Sequence, residues 1–121
     1  FSIDDFNKLT KYMKYLLLKY DCYIDAVYHC PFHPSEGIGK YLKDSFDRKP
    51  NPGMLLRAKK KFNLDMNESI LIGDKISDIK AGNNALVKTN ILFNQKKKNY
   101  KKNNLNKFIE INSLIEALKH L

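Results

Sequence analysis

Cysteine is scarce in this chain. Cys22 and Cys30 are the only two and could form at most one bridge, which excludes a disulfide-stapled secreted scaffold and makes a reducing cytoplasm the expected compartment. Long apolar runs are missing as well: none approaches the roughly 20 residues that a bilayer crossing requires. No basic-then-apolar leader is visible, so nothing in these residues marks export. Arginine is nearly absent, with only Arg48 and Arg57, whereas surfaces that read nucleic-acid bases favour its bidentate fork. There is no internal repeat and no dividing linker. What remains is 121 residues, the size of one domain or part of one, with 43% apolar and 29% charged side chains. Leu, Ile, Phe and Tyr recur throughout, so a wholly disordered chain is excluded.

The charge is one-sided. Lys plus Arg is 22 against 13 Asp plus Glu, a formal +9. Residues 94–107 hold six lysines (Lys96, Lys97, Lys98, Lys101, Lys102, Lys107) and no acid, so the rest carries 16 against 13, a modest +3. Lysines around Tyr100 could serve phosphates and a stacked base. With so little arginine, the run reads instead as a solvated Lys/Asn-rich loop, and nucleic acid is disfavoured as a partner.

The pattern of elements predicts alternating helices and strands. Ser2 to Lys19 reads as an amphipathic helix, with a Ser2/Asp5 capping box and a Phe1–Phe6 staple. Tyr23 to His29 is rich in β-branched and aromatic residues, which predicts a strand. Cys30 to Pro50 is punctuated by Pro and Gly and reads as a long loop beside the functional site. Pro52 opens a helix through Phe62. Ser69 to Gly73 is a continuous apolar run, as in a strand covered on both faces. Ile76 to Asn83 reads as a helix, Val87 to Phe93 and Phe108 to Ile111 as strands. Ser113 and Glu116 form a capping box for a terminal helix. Strand alternating with helix predicts an α/β parallel sheet.

Ligands of such sheets collect beyond the carboxyl ends of the strands. Gly73-Asp74-Lys75-Ile76-Ser77-Asp78 lies there. Asp74 offers the hard oxygen that Mg²⁺ prefers, Lys75 a compact positive charge, and Asp78 follows one helical turn later. The structural alternative is that Asp74 or Ser77 caps the next helix while Asp78 stays at the surface. Arg48 and Lys49, between a loop and a helix N-terminus, could hold an anion or be an ordinary loop pair. His29, Cys30 and His33 suggest a metal, but three local candidates are too few for zinc's usual four.

Taken in order, His29-Cys30-Pro31-Phe32-His33-Pro34, Arg48-Lys49-Pro50-Asn51-Pro52-Gly53-Met54 and Ile72-Gly73-Asp74-Lys75-Ile76-Ser77-Asp78-Ile79-Lys80-Ala81-Gly82 resemble the haloacid-dehalogenase-like phosphatases. The nearest group is the D-glycero-D-manno-heptose 1,7-bisphosphate 7-phosphatases, with the histidinol-phosphate phosphatases as relatives. The resemblance implies a Rossmann-like parallel sheet with flanking helices. It also implies a cytoplasmic, Mg²⁺-dependent phosphomonoesterase working through an aspartyl-phosphate on a small phosphorylated sugar. The product would serve lipopolysaccharide or other surface-carbohydrate synthesis. In that pattern Asp74 binds Mg²⁺ with Asp78 behind it, Lys49 steadies the phosphoryl group, and Arg48 and Lys75 contact substrate. A histidinol-phosphate or polynucleotide 3′-phosphatase of the same superfamily is the alternative, and a basic nucleic-acid-binding module the non-enzymatic one.

Two departures qualify the resemblance. The family's zinc loop uses Cys-x-His then Cys-x-Cys; here the positions read Cys30 and Phe32, then Ser45 and Asp47, so no zinc is expected. The family's nucleophile lies in an Asp-x-Asp motif ending its first strand, and no such motif occurs in these residues. Asp4-Asp5 follows no apolar strand. The chain is therefore expected to be the C-terminal portion of one phosphatase domain without its first strands, inactive alone, with an exposed sheet edge that invites self-association.

Overall fold

The computed structural model describes residues 2–31, 45–103 and 106–121. Phe1 of the expected staple, and Phe32, His33 and Pro34 of the loop, lie outside the described residues. The chain forms two compact units, Phe1–Ser45 and Phe46–Leu121.

The first unit is led by helix α1, Ile3–Leu18. Its start is set by the expected box: the Asp5 amide donates to Ser2 Oγ at 3.1 Å, and the Ser2 amide donates to Asp5 Oδ2 at 2.8 Å. None of the α1 residues is buried. The strand expected over 23–29 does not form; that segment is irregular, with a bend at Asp25, and belongs to no sheet among the described residues. Residue type favours a strand, but a strand exists only where a partner takes its backbone groups. His29 at the end of the segment stacks on Phe6, with ring centroids 4.4 Å apart.

The second unit is a Rossmann-like α/β layer. Helix α2 (Gly53–Phe62) is followed by strand β1 (Ile70–Gly73), helix α3 (Ile76–Asn84), strand β2 (Thr89–Phe93) and strand β3 (Ile109–Ile111). The three strands are parallel in the order β1-β2-β3, with Gly73 opposite Leu92 and Phe93 opposite Ile111. A 3₁₀ helix, Leu114–His120, closes the chain. The Ser113/Glu116 box does not form: Glu116 Oε2 accepts from the Asn112 amide at 3.1 Å, and the Ser113 side chain makes no cap bond.

Burial explains the order of the sheet. Ile91 and Leu92 point to opposite faces and are both 0% exposed, so the strand covered on both faces is β2. Leu92 packs with Ile79 of α3 and Phe108, while Ile91 packs with Ile111 and Ala117 of the closing helix. The apolar run of β1 was expected to be covered this way. Among the described residues it pairs only with β2, and Ile72 remains 45% exposed. A third cluster of Met66, Ala85 and Val87 takes Leu55 and Leu56 of α2. Gly82 lets α3 approach β2: a Cβ there would overlap the side-chain oxygen of buried Asn90.

Candidate functional site at the strand ends

Because β1 and β2 are parallel neighbours in near register, the turns that leave them emerge side by side at the carboxyl edge of the sheet. One turn carries Asp74 and Lys75; the other begins at Asn94 and carries the first lysines of the Lys-rich loop.

The β1–α3 turn is organised by Asp78. Its Oδ2 accepts the Lys75 amide at 3.0 Å, and the Asp78 amide donates to the Lys75 carbonyl at 3.0 Å. Lys75 is the N-cap of α3, and since lysine has no acceptor, only the carboxylate half of a capping box is present. Neither Asp74 nor Ser77 caps the helix, and Asp78 is buried rather than superficial. A Cβ on Gly73 would overlap Asp78 Cβ and come within 2.7 Å of Oδ2, so only glycine lets the carboxylate fold back under the strand end.

The second oxygen of Asp78 forms an ion pair with the Lys49 ammonium. Lys49 thus reaches the turn through Asp78. Its loop is held from both sides. The Gly53 amide donates to the Phe46 carbonyl at 2.9 Å, Asn84 Nδ2 donates to the Pro50 carbonyl at 3.1 Å, and Lys49–Pro50 is a cis peptide. Asp47 pairs with Arg57 of α2 at 2.9 Å. Arg48 is exposed and forms no ion pair among the described residues. Of the residues to which the resemblance gives roles at the site, Lys49 and Lys75 meet at Asp78, Asp74 precedes Lys75 in the same turn, and Arg48 forms no ion pair there among the described residues.

Asp74 is exposed and faces a cavity of about 250 Å³ lined by Lys75, Phe93, Lys96, Lys98 and Tyr100. No carboxylate pairs with Asp74's neighbours Lys75, Lys96 or Lys98 among the described residues. Asp74 fits Mg²⁺ of the kind held by one or two carboxylates, with water and phosphate oxygens completing the shell. Among the described residues no three His, Cys, Asp or Glu side chains gather as a metal cluster, and no disulfide joins Cys22 and Cys30.

Sequence reasoning missed the second turn. Asn94 is 4% exposed and locks it: Nδ2 donates to the Lys98 carbonyl at 2.7 Å and to Glu110 Oε1 of β3 at 2.8 Å, while Oδ1 accepts the Lys98 amide at 3.0 Å. The segment 94–98, read as a solvated loop, is exposed from 95 to 98, and Asn94 fixes it as a turn that lines the cavity. Its signal was its position directly past a strand's carboxyl end, the rule that singled out Asp74.

The HAD-hydrolase-like family model matches residues 46–106. Three relatives are named heptose-1,7-bisphosphate 7-phosphatases. The Burkholderia mallei protein, of the D-glycero-α-D-manno form, is 50% identical over 92 residues, covering 76% of this chain and 49% of the relative. The Haemophilus influenzae protein, of the β form, is 48% identical over 76% of this chain and 50% of its own. The Campylobacter jejuni protein, of the α form, is 48% identical over 78% and 49%. The chain spans about half the length of the curated relatives it matches. A crystal structure described as a HAD-like phosphatase from Mesorhizobium loti superposes with a TM-score of 0.71 at 34% identity, covering 76% of this chain and 44% of that one.

Proposed function

The chain belongs to the HAD-hydrolase-like family, and on that premise we propose that it carries the magnesium- and phosphate-binding part of a sugar-phosphate phosphatase site. The substrate in this reading is D-glycero-D-manno-heptose 1,7-bisphosphate, and the bond hydrolysed is the C7 phosphomonoester. The observation that carries it is the pairing of Lys49 with Asp78 directly beside exposed Asp74 at the strand ends.

Phosphoryl transfer demands positioning and positive charge on the equatorial oxygens more than it demands covalent chemistry from the protein. Lys49 supplies such a charge. One of its three donors is spent on Asp78, which fixes the ammonium and leaves the others for a phosphoryl oxygen. Lys75 presents a second charge from the rim. Asp74 would hold Mg²⁺, which when bound neutralises charge on the transferring group. Asp78 is occupied twice over and is no candidate for the attacking carboxylate. These 121 residues hold no Asp-x-Asp motif, so by themselves they bind the ester without cleaving it.

Equilibrium binding tests this. The chain is expected to bind heptose 7-phosphate in a Mg²⁺-dependent manner, with Asp74→Asn removing the metal dependence and Lys49→Ala weakening the affinity about tenfold or more. Binding indifferent to Mg²⁺ and to Asp74→Asn would refute it.

A further inference from the structure

The same cavity holds more positive charge than one phosphoryl group requires. Lys75 lines it on the β1 side with Asp74, and Lys49 is held at the same turn by Asp78. Across it, Lys96 and Lys98 line the cavity from the β2 turn, with Tyr100 between α3 and the solvent. These two lysines do not belong to a loose tail. The turn that carries them is pinned by a buried asparagine bonded to the Lys98 backbone in both directions and anchored to Glu110 on β3. Glu110 is spent on that asparagine, so the acid nearest the turn in the sheet holds its scaffold and neutralises neither lysine. Three lysines therefore face one aspartate in a cavity of about 250 Å³.

We propose that Lys96 and Lys98, with the Tyr100 edge of the cavity, form a second anion subsite. It would hold the phosphate that is not cleaved while Asp74, Lys49 and Lys75 take the scissile one. This rests on the phosphatase reading above and deepens it by naming what selects a bisphosphate over a monophosphate. The physical grounds are fixed position and unneutralised charge. A rigid backbone turn presents its ammonium groups without the ordering cost of a free loop, and a phosphate dianion is the ligand that two adjacent lysines serve as point charges. The remaining lysines of the run, from Lys101 on, lie past the cavity and have no part in the subsite.

The test is calorimetric binding by the 121-residue chain with Mg²⁺ at fixed ionic strength, comparing heptose 1,7-bisphosphate with heptose 7-phosphate. The wild-type chain should bind the bisphosphate at least about tenfold tighter, the scale of one charge-assisted contact. Lys96→Gln/Lys98→Gln should erase that margin while leaving 7-phosphate affinity within about twofold, since its contacts are elsewhere. A control that removes equal charge off the cavity, Lys60→Gln/Lys101→Gln, should keep the margin, which separates a local subsite from the general field of a +9 chain. Equal affinity of the wild type for both sugars, or a margin lost equally in the control, overturns the subsite while the phosphatase reading stands. Failure to bind either sugar overturns both. Tighter binding of a 3′-phosphorylated oligonucleotide than of the bisphosphate, lost in Lys96→Gln/Lys98→Gln, would overturn the sugar subsite in favour of a nucleic-acid groove.

Discussion

The Lys49 ammonium is ion-paired with the Asp78 carboxylate, although the two lie on different segments and Lys49 comes from a loop. Asp78 is 6% exposed, whereas about half of the Lys49 side chain meets solvent. Removing the lysine leaves a buried carboxylate with one partner fewer, and that is the costly direction.

Lys49→Met should therefore destabilise the chain by about 1–3 kcal/mol, and adding Asp78→Asn should return part of the loss because the neutral amide no longer needs a cation. Chemical denaturation of the two single variants and the double variant measures the coupling. Strictly additive effects would show that the pair does not hold the loop.

Gly82→Ala weighs two opposed effects. Alanine favours a helix interior over glycine by about 1 kcal/mol. Here its Cβ would collide with Asn90 Oδ1, and overpacking of a buried site costs about 1–3 kcal/mol. The clash should win, lowering the thermal midpoint, and Asn90→Ala in the same chain should recover part of it.

These two glycine and lysine sites show how the sequence was legible and where it was not. Gly73, Asp74, Lys75 and Asp78 were recognisable because residue type and spacing along one turn carry the geometry. The Lys49–Asp78 pair was not, since which of two carboxylates a distant lysine reaches depends on how a loop closes around Gly53. The segment 23–29 misled because strand propensity is expressed only with a partner strand. Residues 94–98 were legible as an exposed loop but not as an ordered one, because composition gives the solvation of a lysine run and not the buried asparagine that fixes its start.

Asn94→Ala isolates that last point. It deletes the bonds to the Lys98 backbone and leaves Glu110 without its partner, at about 1–3 kcal/mol for the buried groups left unmade. Hydrogen exchange of the Lys98 amide should quicken well beyond that of the β2 amides. Unchanged protection at Lys98 would mean that the turn is held by something other than Asn94.

His29 gives the first unit a pH response. Burial against Phe6 pushes its imidazole below the ordinary 6.5. The unfolded chain then binds the proton more readily than the folded one, so this contribution is present above pH 6.5 and is lost as pH falls through the folded value. The thermal midpoint of the wild type should drop more between pH 7.5 and 5 than that of His29→Leu. An equal drop in both would remove His29 from the response.

Phosphate release from heptose 1,7-bisphosphate with Mg²⁺ tests the assignment of roles most directly, measured for these 121 residues alone and for a longer chain in which a strand ending in Asp-x-Asp precedes Phe1. The expected result is no turnover by the 121 residues, turnover from C7 by the longer chain, and loss of most of it on Asp74→Asn. Robust Mg²⁺-dependent release by the 121 residues alone, or turnover in the longer chain that survives Asp74→Asn, would contradict it.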